Sequence, residues 1–94
     1  MLNSKQRAKL RSLASSVDTI FQLGKDGITE NFIKSVDLAL EARELVKLKV
    51  LETAMVDRKK AAEEIARATK STVVCVIGAK IALYRPAKKP VIQI

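Results

Sequence analysis

Histidine and tryptophan are absent from this chain of 94 residues, cysteine occurs once, and only Phe21, Phe32 and Tyr84 carry aromatic rings. Without histidine the chain lacks the side chain that most often moves protons near neutral pH and most often ligates metals. One cysteine excludes a disulfide within the chain. Cys75 lies in the apolar run Val73-Val74-Cys75-Val76-Ile77, where a buried, inert thiol and a reducing compartment are the expectation. No paired acids stand apart from basic partners, so no acid–base couple, nucleophile pair or metal cluster is visible. Glu63-Glu64 and Asp37 with Glu41 read as solvated helix positions beside lysines. Catalytic residues, bound metal and cofactor are therefore not expected. No segment approaches the ~20 apolar residues that span a bilayer, and the N-terminus has no signal-like apolar run. A cytoplasmic protein without membrane contact, and a monomer, is expected.

Acid is missing where base is concentrated. The net charge is +8. Residues 1–11 carry Lys5, Arg7, Lys9 and Arg11 without an acid, and residues 65–94 carry Arg67, Lys70, Lys80, Arg85, Lys88 and Lys89 without one. The middle of the chain nets negative, so the excess belongs to the two ends. If folding brings them together, one face becomes a positive field suited to a polyanion.

Glycine is scarce too, with three in all, and two of them frame Gly24-Lys25-Asp26-Gly27. This stretch follows the apolar Ile20-Phe21-Gln22-Leu23 and precedes a helix start at Thr29. Glycines three apart permit positive φ and close backbone approach, and the lysine and the free amides of the next helix favour an anion. A nucleic-acid phosphate is the natural ligand. A strand-to-helix turn that needs glycine only for its geometry is the other reading of the same residues.

The 48% apolar content of a chain this short suits one domain built on Leu, Ile, Val and Ala. Ser4 can cap a first helix over about 5–16, with Leu10, Leu13, Ala14 and Val17 on one side. A strand near 19–23 follows. Thr29 caps a second helix to about Ala42 that buries Phe32, Ile33, Val36, Ala39 and Leu40. Residues 45–51 alternate, with Val46, Leu48 and Val50 on a covered face and Lys47 and Lys49 on a wet one that could also touch RNA. Asp57 caps a third helix, Arg58 to about Thr69. Residues 73–77 and 81–84 make a hairpin through Gly78-Ala79-Lys80. The order α-β-α-β-α-β-β predicts an α/β fold: a compact single domain with a four-stranded mixed sheet packed with helices. Residues 1–86 form that domain. Residues 87–94 are a tail that either adds a short edge strand at 91–94 or stays loose.

Four segments in this order, Lys5-Gln6-Arg7 with Leu10-Arg11-Ser12-Leu13-Ala14, Gly24-Lys25-Asp26-Gly27-Ile28-Thr29-Glu30, Glu44 to Val50, and Val76-Ile77-Gly78 with Leu83-Tyr84-Arg85, resemble the YhbY or CRM-domain family over residues 3–86. The resemblance implies a fold similar to the C-terminal domain of bacterial translation initiation factor three. It also implies RNA binding through the strand-to-helix GxxG loop and neighbouring basic residues. Single-domain bacterial members are associated with precursors of the large ribosomal subunit, which makes large-subunit RNA, with ribosomal proteins nearby, the expected partner in ribosome assembly. A protein-binding adaptor on the ribosome, or a general RNA chaperone or regulator, is the alternative. The expected RNA-binding residues are Gly24, Lys25, Asp26, Gly27, Lys5, Arg7, Arg11, Arg67, Lys80 and Arg85. Many relatives have a histidine where this chain has Ser15 and a proline where it has Thr19, so neither position takes a role. Asp26 puts a negative charge beside the expected phosphate. Its carboxylate points away, caps the next helix or meets a base edge, and the residues alone do not choose.

Overall fold

A computed structural model describes residues 2–88 and 92. Helix α1 (Ser4–Ala14) opens with a capping box. Asn3, rather than Ser4, accepts the Gln6 amide at 2.8 Å, and the Gln6 side chain accepts the Asn3 amide at 3.0 Å. Strand β1 (Thr19–Leu23) and helix α2 (Glu30–Arg43) flank the glycine loop, and Thr29 caps α2 through the Phe32 amide. Strand β2 (Leu45–Val50) leads through a short 3₁₀ turn, η1 (Glu52–Ala54), to α3 (Arg58–Thr69). Strands β3 (Thr72–Ile77) and β4 (Lys80–Tyr84) form the hairpin. Gly78 (φ +59°) takes its first turn position, which a side chain would strain. Helix α3 ends in a Schellman turn, in which the Ser71 amide returns to the Ala66 carbonyl at 2.9 Å with Lys70 at φ +57°.

The sheet order is β1-β2-β4-β3. Only β1 and β2 are parallel neighbours, because β4 enters between β2 and β3 and runs against both. Alternation then divides the core into two. Val46, Leu48 and Val50 of β2, with Ile81 and Leu83 of β4, face α2 and α3 and pack on Val36, Leu40, Ala62 and Ile65. Leu45, Val74, Ala82 and Tyr84 face the other way and are covered by Leu10 and Ala14 of α1. Each large aliphatic chain so buried contributes about 1.5–3 kcal/mol. Leu13, expected on the buried stripe of α1, is 37% exposed, because the helix turns Leu10 and Ala14 to the sheet instead.

The lysine face of β2 is only half wet. Lys47 is partly buried beneath the end of α1 and donates to the Ala14 carbonyl at 3.1 Å, where a cation offsets the negative end of the helix dipole; Lys49 stays exposed. Residues 91, 93 and 94 of the suggested edge strand lie outside the described residues. The Ala87 and Ile92 amides donate to the two carboxylate oxygens of Glu44, at 2.9 and 2.7 Å.

Candidate nucleic-acid interface

Parallel pairing puts the C-terminal ends of β1 and β2 side by side, with Leu23 opposite Val50. The glycine loop rises from that end. The Gly27 amide closes it on the Gly24 carbonyl at 3.0 Å. Gly27 has φ +71°, a conformation that disfavours any side chain, and a Cβ there would meet nothing within 4 Å. A Cβ on Gly24 would find only Leu51 Cδ1 at 3.8 Å and Thr53 Oγ1 at 3.9 Å, an ordinary contact. The fold's own packing therefore needs no glycine at 24. At Gly27 the missing side chain leaves bare backbone on the outside of the turn.

Helix α2 starts beside this bare turn. Thr29 takes up the Phe32 amide, so the first-turn amides of Glu30 and Asn31 have no acceptor among the described residues. A groove of about 460 Å³ runs past Gly24, Asp26, Gly27 and Asn31. Lys25 and Asp26 are exposed. Asp26 does not cap α2, because Thr29 already does.

The connection from β2 to α3 leans on the same loop: the Leu51 amide donates to the Leu23 carbonyl at 2.9 Å, and Thr53 lies next to Gly24. That contact brings the first turn of α3, Arg58-Lys59-Lys60, to this end of the sheet. Asp57 caps the helix through the Lys59 and Lys60 amides, yet the turn itself holds no acid. Three cations sit against the positive end of the helix dipole, each unfavourable by about 0.3–1 kcal/mol until an anion arrives. The sequence reading missed these three. Their signal was legible as consecutive bases directly after an N-cap, where acids are favoured. The hairpin turn joins the same end through the Val50 amide and the Ala79 carbonyl at 2.7 Å, and Lys49 pairs in register with Lys80.

The other expected residues divide. Arg11 and Lys80 flank a cleft on the α1 face of the sheet. Lys5 and Arg7 lie in the first half of α1, and the Arg7 guanidinium donates to the Val73 carbonyl at 3.3 Å. Arg67, in the last turn of α3, lines a groove with Ile28 and Lys60 that also holds Glu63 and Glu64. Arg85 departs from expectation. It follows Tyr84, which pairs with Leu45 at the far end of β2, about 16 Å of strand from the loop. Its guanidinium is ion-paired with Asp37 and Glu41 and donates to the carbonyls of Thr69 (2.7 Å) and Asp37 (2.9 Å). It braces α2 against the end of α3 and has little charge left for a ligand.

The expected convergence of both termini on the glycine loop is corrected in the same way. The C-terminal segment meets Glu44 at the opposite end of the sheet, and Leu2 and Ile92 pack against one core there. Of the described cations in the two acid-free ends, Arg67 comes nearest the loop, in the groove with Ile28, and Arg11 and Lys80 lie on the α1 face of the sheet. The field at the loop comes chiefly from the middle of the chain: Lys25, Lys49 and residues 58–60. Among the described residues only Lys34 and Arg85 form ion pairs, so these cations are not neutralised by the protein.

Among the described residues no cluster of three or more His, Cys, Asp or Glu side chains is placed to hold a metal, and no helix is long and apolar enough to cross a membrane. The model of the CRS1/YhbY (CRM) domain matches residues 2–85. The chain belongs to this family. Among CRM-domain relatives, it is 43% identical over 89 residues to the Bacillus subtilis protein named probable RNA-binding protein YqeI, covering 95% of this chain and 93% of that one. An RNA-binding protein of Haemophilus influenzae is 33% identical over 93 residues, covering 99% and 94%. The solution structure of a Staphylococcus aureus protein is similar to this CRM fold with a TM-score of 0.80 at 50% identity, covering 95% of this chain and 93% of that one.

Proposed function

We propose that this CRM-domain protein binds RNA at the sheet end that carries the glycine loop, and that the RNA is the precursor of the large ribosomal subunit, whose assembly it assists in the cytoplasm. One observation carries the reading: Thr53 of the connection to α3 lies against the bare Gly24–Gly27 turn, and Ile28 just after that turn lines one groove with Lys60 of the acid-free first turn of α3, so two helix starts and a group of cations share one end of the molecule. The names of the relatives support RNA as the ligand class. The protein acts by binding and not by catalysis. Phosphate neutralisation supplies most of the affinity, at about 0.7–0.9 counterions released per phosphate contacted. Sequence discrimination is small, because Tyr84 is buried and the only rings beside the loop, Phe21 and Phe32, are partly buried and packed edge to face with ring centres 6.1 Å apart, which leaves little ring surface in the groove for stacking. Lys25, Lys49 and Arg58 to Lys60 lead the contacts, with Gly24 and Gly27 admitting the backbone. Lys5, Arg7 and Arg67 remain outlying contributors.

Crosslinking in cells, with sequencing of the attached RNA, tests the partner. Recovery chiefly of large-subunit precursor RNA is expected, and an even spread over transcripts would instead establish a general RNA chaperone. A purified protein that forms no saturable complex with structured RNA in dilute buffer would remove the reading altogether.

A further inference from the structure

Beyond the end of α1 the sheet is uncovered, and a cleft of about 240 Å³ opens there. Arg11, Lys47 and Lys80 line it, with Cys75 and Ala82 beneath them and Ile77 alongside. Its lining holds three cations and no acid, whereas the grooves beside the glycine loop and α3 each include a carboxylate: Glu52 and Asp57, Glu63 and Glu64, or Asp26. Among the described residues neither Arg11 nor Lys80 has an ion-pair partner, and Ile77 is 68% exposed at a strand end, an apolar chain that the fold itself does not use.

A simple phosphate site would not be built this way. The cleft abuts the C-terminal end of α1, whose carbonyls repel anions and attract donors. Lys47 already satisfies the Ala14 carbonyl, and apart from Ser15 and the Cys75 thiol the remaining lining is aliphatic. A nucleotide suits the combination: a planar base on the apolar surface and a phosphate at the cations. The volume falls just below the ~300–1,000 Å³ of small-molecule pockets, room for one such unit.

We propose that this cleft takes up a single unpaired nucleotide of the bound RNA, with its base against Cys75, Ile77 and Ala82 and its phosphate at Arg11 and Lys80. The proposal rests on the RNA-binding reading and deepens it: the ligand is a helix with a bulged or looped-out residue rather than a continuous duplex. Unstacked residues are where proteins reach base edges in RNA.

Cys75 is half-buried and the chain's one cysteine, so its alkylation by iodoacetamide reports on occupancy. Adenosine monophosphate should slow it severalfold, inorganic phosphate at equal ionic strength should slow it much less, and R11Q/K80Q should abolish the difference. Amide chemical shifts titrated with the same two probes provide a readout independent of thiol reactivity, with adenosine monophosphate moving residues 75–82. Equal effects of nucleotide and phosphate, or no effect of either, would overturn the cleft. In RNA binding, a duplex with one bulged nucleotide should bind about tenfold tighter than its fully paired parent, and R11Q/K80Q should remove most of that preference. Saturable, equal binding of both duplexes would sink this inference while leaving the general RNA-binding reading intact; binding of neither would sink both.

Discussion

Alanine at each of the three glycines separates the needs of the fold from those of the ligand. Gly27 and Gly78 have φ of +71° and +59° with open space where a Cβ would go, so alanine at either meets no clash and only the left-handed backbone penalty, about 1–2 kcal/mol. For a domain of this size that lowers the melting temperature by roughly 4–16 °C and leaves the protein folded at room temperature. Gly24 has no positive φ, and its alanine would make van der Waals contact with Leu51 and Thr53. Its stability should therefore stay within about 0.5 kcal/mol of the parent or rise slightly. RNA affinity should follow a different order. A methyl group at Gly27 enters the open space outside the turn and separates a phosphate from the backbone amides, and one lost charge-assisted hydrogen bond is worth about 1.5–3 kcal/mol, roughly 10- to 100-fold in Kd. Gly27→Ala should thus lose that affinity, whereas Gly78→Ala, equally strained but in the hairpin turn, and Gly24→Ala, whose methyl turns inward to Leu51 and Thr53, should keep most of it. The assays are thermal unfolding followed by circular dichroism and fluorescence anisotropy with a structured RNA at fixed salt. Binding by Gly27→Ala within twofold of the parent, or an equal loss in Gly78→Ala, would refute the assignment of the loop as the contact.

Other expectations concern stability and charge. Arg85→Met should lower stability by about 2 kcal/mol, since two bonds to backbone carbonyls are lost while the half-exposed ion pairs count for little, and RNA affinity should hold; a large affinity loss in a folded variant would return Arg85 to the interface. Lys70→Gly should raise the melting temperature, because the left-handed position that closes α3 favours glycine by about 1 kcal/mol; an unchanged or lower transition would count against the Schellman geometry. Asp26→Asn should tighten RNA binding a few-fold if the exposed carboxylate only repels phosphate, and weaker binding would show that it makes a contact. Burial first, and the Glu44 charge second, raise the Tyr84 phenol above its ordinary value of 10.0. The native state then holds that proton more tightly than the unfolded one, so this group's contribution falls as pH rises above 10, and Tyr84→Phe should flatten the decline in denaturant unfolding between pH 9 and 11.

Local chemistry reached far in this chain. Strand β1 occupies residues 19–23, Thr29 and Asp57 cap their helices, and α3 runs from Arg58 to Thr69, all as the sequence reading places them. The reason is that period, cap and turn are set by residues within four or five positions of each other. Where Ser4 was expected to cap α1, Asn3 does so instead, because it forms the reciprocal pair of bonds with Gln6. The left-handed Met55 after η1 had no glycine or asparagine to announce it.

Charge reads differently, because a side chain's electrostatic role depends on who faces it across the fold. Sequence alone determined that this protein is a small α/β domain of CRM type with surplus positive charge and a glycine turn between its first strand and second helix. Tertiary structure decided which charges remain available. The insertion of β4 between β2 and β3 sends Arg85 to the far end of the sheet, where Asp37, Glu41 and two carbonyls absorb it. The parallel pairing of β1 with β2 delivers Arg58, Lys59 and Lys60 to the glycine loop instead. Strand order is a contest among pairings of segments tens of residues apart, settled by how the two faces of the whole sheet are buried at once, and no local pattern carries that information.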